Sequence, residues 1–261
     1  MDEINAAPVA AAPLKKKFNW KALVVIAVAL LLVAGLVWAV LSLGNGRTSP
    51  ISLMQKYANA KSIEIERLYK DMLAGSDGGK ASKLVTLMLK SETFQEQLEA
   101  VEETLAEQYE DKLDEYGSNY KISYKNDKSV EEELEKEDLK EYRADIKEMG
   151  EDFYELGKAL GKLKGDDLRD LADDLDMSTA DLKALIACLK ELGQKYRGAE
   201  VSEGWELDAL SKITGSELDD PEEDDQELIV LKVNGKWVSR DALQMLYSLY
   251  YMISSATYRY R

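Results

Sequence analysis

Carboxylates are the side chains this chain offers for chemistry in greatest number. The run Glu217 to Glu227 ("ELDDPEEDDQE") supplies hard oxygen ligands of the kind calcium takes. The spacing Asp-x-Asp-x-Asp-Gly with a distal glutamate is absent there and around Asp174 and Asp176. A second group is Asp166, Asp167, Asp170, Asp173 and Asp174. Paired carboxylates can run general acid–base chemistry, but the spacing singles out no pair. Carboxylates at helix starts favour the helix dipole and solubility. Both groups therefore read as solvated surface, and calcium at 217–227 stays an open alternative.

Other chemistry is excluded more firmly. The chain has no histidine, which removes Ser-His-Asp and Cys-His catalysis, His-ligated zinc and imidazole proton shuttles. Its single cysteine, Cys188, admits no intrachain disulfide; between Leu185 and Leu192 on a helical pattern it reads as a small core residue. No glycine-rich phosphate loop, nucleophile elbow or zinc spacing is present. Catalytic, cofactor-binding and metal residues are therefore assigned to none. Trp205 and Trp237 read as core residues. The tail tyrosines Tyr247, Tyr251, Tyr258 and Tyr260 serve either packing within the domain or contact with a partner. A formal net charge of −16 argues against nucleic acid, which needs clustered Lys and Arg.

The elements that must position these residues begin with "ALVVIAVALLLVAGLVWAVL", Ala22 to Leu41, twenty residues without a charged or polar side chain. At about 1.5 Å per residue such a helix spans the roughly 30 Å hydrocarbon core. The run exceeds the usual apolar region of a signal peptide, and no A-x-A site follows it. It reads as an uncleaved single-pass anchor. Lys15, Lys16, Lys17 and Lys21 precede it and Arg47 alone lies close behind, so the positive-inside rule places the N-terminus in the cytoplasm. The expected organisation is a short cytoplasmic tail (1–21), a transmembrane helix (22–43), a linker (44–49), an extracytoplasmic domain (50–240) with a helical insertion at about 139–197, and an aromatic C-terminal helix (241–261).

Beyond the linker, Ser49-Pro50 opens a helix expected to reach about Leu73, with "GSDGG" (Gly75 to Gly79) as its break. A short helix covers about Lys80 to Leu89. Thr93 and Glu96 suggest a capping box for a helix ending at Gly117. Tyr120, Ile122 and Tyr124 alternate as in a strand, and Ser129 with Glu132 suggest a second capping box. Helical period continues through the glycine-rich stretch 150–165, where glycine weakens it, and through two further helices, the second capped by Ser178. Trp205, Leu207, Ala209, Ser211 and Ile213 share one strand face, and an acidic loop follows. "LIVLKVNGKWVS" then reads as a hairpin around Asn234-Gly235. A two-residue turn sets Val233 against Lys236, Lys232 against Trp237 and Leu231 against Val238, and Trp237 should be largely buried. The fold class is α+β: a predominantly helical domain with a small antiparallel sheet of three to four strands, one face of it covered by helices.

The segments "ELIVLKVNGKW" and "EQLEAVEETLAEQYEDKLDEYGSNYKISYK", with the alternating strand and acidic loop, resemble the cystatin-like or nuclear-transport-factor-like extracytoplasmic domains of membrane-anchored proteins of Gram-positive bacteria. The resemblance spans roughly residues 50–240 and implies a helix packed into a curved antiparallel sheet; the insertion at 139–197 departs from that pattern. It carries no catalytic residues. Together these readings lead to an expected membrane-tethered, extracytoplasmic binding or interaction module without catalysis. Its partners are the bilayer through 22–43 and a protein through the C-terminal helix or the insertion. The alternatives are a ligand-pocket protein or enzyme using carboxylate and Tyr side chains in a cone-shaped cavity, and a helical scaffold component of the cell envelope.

Overall fold

The computed structural model describes residues 47–62, 64–73 and 75–260. The expected tail (1–21), transmembrane helix (22–43) and the start of the linker (44–46) lie outside the described residues. No helix among the described residues is long and apolar enough to cross a membrane. They form an α+β fold with eight α-helices and one four-stranded antiparallel sheet. Helices α1 (Ser49–Tyr57), α2 (Ile65–Met72), α3 (Lys80–Met88) and α4 (Glu92–Tyr116) lead to β1 (Lys121–Glu133). Helices α5 (Lys136–Leu160), α6 (Asp166–Asp174) and α7 (Thr179–Arg197) separate β1 from β2 (Val201–Thr214). Strands β3 (Glu222–Val233) and β4 (Lys236–Ser239) then lead into α8 (Arg240–Ala256). Spatial strand order equals chain order, so each strand pairs with the one before it.

The strongest local signals hold. Ser178 Oγ accepts from the N–H of Asp181 at 3.0 Å and caps α7. Gly117 ends α4 with φ of 88°. Asn234 and Gly235 turn with φ of 51° and 75°, and the pairs Val233–Lys236, Lys232–Trp237 and Leu231–Val238 stand opposite one another. Trp237 is buried.

Other expectations are corrected. The helix expected from Pro50 to Leu73 is two helices, because tertiary hydrogen bonds win at the join. Asn59 spends its side chain on the backbone of Ile122, and Glu102 Oε1 accepts from the N–H of Ile65 at 2.8 Å. The cap of α4 is Ser91, whose Oγ lies 3.4 Å from the N–H of Phe94; Thr93 sits within the first turn. Ser129 and Glu132 cap nothing: they lie in β1, at a bulge where the register jumps from Asp127–Asp208 to Glu132–Glu206. There the N–H and hydroxyl of Ser129 both donate to Asp127 Oδ1 at 2.8 and 2.7 Å. Half of the acidic loop is strand, since β3 begins at Glu222. Trp205 is only half-buried and lies under the guanidinium of Arg47, 3.9 Å from its ring centre.

The outer edge of β1 is covered by α1. Gln55 Nε2 donates to the carbonyl of Ile122, Gln55 Oε1 accepts from the N–H of Tyr124, and Asn59 both donates to and accepts from Ile122, each at 2.8 Å. Two amide side chains thus take backbone groups that an exposed edge strand offers to another chain.

The sheet is not covered on one face only. At the hairpin end Leu228, Val230 and Trp237 fill one face and Leu231, Val233 and Val238 fill the other. The segment between β1 and β2 supplies the extra layer. Its helices α5 and α7 pack so closely that glycine is required. A Cβ on Gly193 would stand 2.4 Å from the backbone nitrogen of Tyr154, and one on Gly150 would stand 2.3 Å from that of Arg197. The glycines of α5 therefore do not interrupt it; they admit its neighbour. Cys188, fully buried on α7, is held well above the ordinary thiol range, at about 11, by burial. It stays a protonated core thiol at neutral pH.

Candidate functional site

Two helical stripes and one strand residue line a cavity among the described residues. On α5, Tyr142, Asp145, Ile146 and Met149 recur at spacings of three and four, with Glu148 beside them. On α8, Arg240, Leu243, Gln244, Tyr247 and Tyr251 follow the same period. Such spacing puts each set on one face of its helix. The two faces meet over Leu231 of β3, leaving a groove of about 380 Å³. That is within the range of small-ligand sites. Ile146, Met149, Leu231 and Leu243 are buried and make an apolar floor. Asp145, Glu148, Gln244 and Tyr251 are exposed at the rim.

The hairpin sets this wall. Strand β4 is four residues long and runs directly into α8, where Ser239 Oγ accepts from the N–H of Ala242 at 3.2 Å as the helix cap. Its turn is anchored to the GSDGG loop: Asn234 Nδ2 donates to the carbonyl of Ser76 at 2.9 Å. Asn234 is also bonded to Glu200, donating its N–H at 2.8 Å and accepting through Oδ1 at 3.2 Å. The position of Arg240, the first residue of α8, follows from that turn.

The aromatic side of the groove is continuous. Tyr247 stacks on Tyr250 with ring centres 5.3 Å apart, and Tyr251 lies 4.8 Å from Tyr247. Phe153 meets the edge of Tyr250 at 5.6 Å and ties the cluster to the core. The Tyr247 hydroxyl donates to Asp152 Oδ2. Burial first, and that hydrogen bond second, push the Tyr247 pKa up, so the ring stays a neutral phenol. Arg240 Nε is buried and has no hydrogen-bond partner. The adjacent Asp241 carboxylate is 3.8 Å away and is itself pushed up in pKa by burial, against the pull of Arg240. Asp145 and Glu148 carry no ion pair or hydrogen bond among the described residues. The groove thus holds the partly exposed Arg240 side chain, two unpaired carboxylates and several aromatic faces.

The carboxylates singled out from the sequence fall elsewhere. Asp166, Asp167, Asp170, Asp173 and Asp174 are all exposed on α6. Asp166 pairs with Arg169 at 3.0 Å, and Asp174 accepts from the Tyr260 hydroxyl at 2.9 Å. Glu223, from the stretch read as an acidic loop, pairs with Lys212 across β2 and β3 at 3.1 Å. Among the described residues no three His, Cys, Asp or Glu side chains converge to hold a metal.

A different acidic feature emerges from the register. Asp127, Asp208 and Glu227 stand directly opposite one another across β1, β2 and β3, with Glu132 and Glu206 paired beside them. Burial, then neighbouring carboxylates, raises the pKa of both Asp208 and Glu206. Like charges directly opposite destabilise a sheet. A carboxyl whose folded pKa is raised opposes folding once ionised, fully above the raised value and not at all below the ordinary one. Asp208→Asn should therefore stabilise the fold by a few tenths of a kcal/mol at pH 7, a small gain because the site is largely solvated. The advantage should shrink as pH falls towards about 4, the ordinary Asp range. Melting curves of both proteins at pH 7 and pH 4 check this; a constant difference would show that charge is not the cause.

Only part of the groove was visible in the sequence. Tyr247 and Tyr251 stood out as an aromatic stripe. Asp145, Glu148 and Arg240 carried no signal that could have marked them, since they lie on helices about ninety residues apart in the chain. Neither a family model, nor a curated protein, nor a solved structure matches this chain.

Proposed function

We propose that the chain is a membrane-tethered, extracytoplasmic binding module, cystatin-like or nuclear-transport-factor-like in kind, whose ligand enters the groove between α5 and α8. One observation carries the binding site: a cavity of about 380 Å³ with an apolar floor and unspent polar groups at its walls. The apolar run Ala22 to Leu41 and the lysines before it support the tether and its orientation.

Two arms test this reading. In the first, sugars, amino acids, short peptides and fatty acids are screened by thermal shift on the full chain in mild detergent. Compounds that stabilise the wild type should lose their effect in Gln244→Trp, which adds an indole at an exposed position of the groove wall. Equal stabilisation of both proteins would remove the groove as the site. In the second, a reporter active only outside the cytoplasm is fused after Arg261; a silent fusion would overturn the orientation.

A further inference from the structure

We infer that the groove takes a basic polypeptide segment, with an arginine or lysine side chain seated on the tyrosine faces between Asp145 and Glu148 and a main-chain carbonyl accepting from the outer N–H groups of the Arg240 guanidinium. The inference rests on the groove being the binding site, and it names the occupant. Charge complementarity carries it. Asp145 and Glu148 stand at the rim, and no cation among the described residues pairs with either. Tyr247 and Tyr251 offer ring faces beside them, and such faces attract a cation through their quadrupole. A ligand that was only a cation would leave Arg240 without use. Its side chain lines the groove and is 42 % exposed, so its outer N–H groups can meet an acceptor there. A peptide unit provides that acceptor next to its own cationic side chain. The sheet face that supplies Leu231 continues along β3 to Ile229, Glu227 and Asp225, with Glu206 and Asp208 alongside on β2. A chain with a net charge of −16 draws cations in general; the unpaired carboxylates and aromatic faces decide where one stays.

The test uses the full chain in mild detergent and a dye-labelled hexapeptide of alternating arginine and glycine, amidated at its C-terminus, read by fluorescence anisotropy. The wild type should bind it and should ignore the same peptide with glutamate in place of arginine. Asp145→Asn combined with Glu148→Gln should weaken binding by roughly tenfold, for two charge-assisted contacts. Tyr251→Ala should weaken it by about fivefold. All three residues affected are exposed or half-exposed, so melting temperature should hold and loss of binding is not loss of fold. Asp167→Asn with Asp170→Asn, exposed on α6 and outside the groove lining, should change binding less than twofold. An equal loss in that variant would reduce the attraction to general acidity and overturn the site. Arginine amide competing as well as the peptide would overturn the polypeptide occupant in favour of a small cation. Failure of the arginine peptide while the screen still yields ligands lost in Gln244→Trp would refute the cation and leave the groove. An empty screen as well would refute both.

Discussion

Trp237→Ala should destabilise the fold by about 3–5 kcal/mol, the range for truncating a large buried aromatic side chain. The site explains the size. Trp237 is 7 % exposed and sits on β4, opposite Lys232, whose ammonium lies 5.6 Å from its ring centre and pairs with Glu203 at 2.6 Å. Removing the indole empties that space and takes away the apolar surface that shields the Lys232 stem. Since domains are stable by only about 5–15 kcal/mol, the loss should be plain in urea unfolding of the full chain in detergent. Trp237 lies on the sheet face opposite Leu231 and therefore away from the groove. Molecules that remain folded should bind a groove ligand as the wild type does. Unchanged stability with lost binding would make Trp237 a ligand contact and remove the structural role assigned to it.

This hairpin was legible because its determinants are local. Asn234-Gly235 accept positive φ, and a two-residue turn leaves one register. Ser178 and Gly117 were legible for the same reason. The failures share the opposite property. Thr93 and Ser91 are both competent caps two residues apart; Ser91 wins because its hydroxyl also donates to the carbonyl of Leu175, a partner that only the folded chain brings near. Ser129 with Glu132 has the spacing of a capping box, yet β2 captures that backbone as strand. The break after Tyr57 depends on β1 needing Asn59 at its edge. The strand character of Glu222 to Glu227 was hidden by its charge, which reads as loop until β2 is placed alongside. The groove was hidden most deeply, because it is a relation between α5 and α8 and neither stripe is unusual alone.

Gly193→Ala offers the sharpest contest between a local rule and a tertiary one. In a helix interior, alanine is better than glycine by roughly 1 kcal/mol. Propensity alone therefore predicts that the change stabilises α7. The packing of α5 predicts the reverse. The new Cβ would stand 2.4 Å from the nitrogen and 2.7 Å from the Cα of Tyr154, both backbone atoms of a helix that cannot rotate out of the way. The helices must move apart, and overpacking of this kind costs about 1–3 kcal/mol or more. The net expectation is a loss of about 1–3 kcal/mol by urea unfolding, with Gly150→Ala falling in the same direction. Gly198→Ala is the control, since its Cβ would meet only Gln194 O at an ordinary 3.6 Å; it should be close to neutral. The displacement has a functional consequence as well. Helix α5 packs against α7 and α8, and its other face carries Tyr142, Asp145 and Met149 into the groove. Moving α5 shifts one wall of the site, so Gly193→Ala should weaken capture of the arginine peptide although it touches no lining residue. A variant as stable as the wild type would show that the two helices separate freely, and that the glycines of this pair are not what holds the groove in shape.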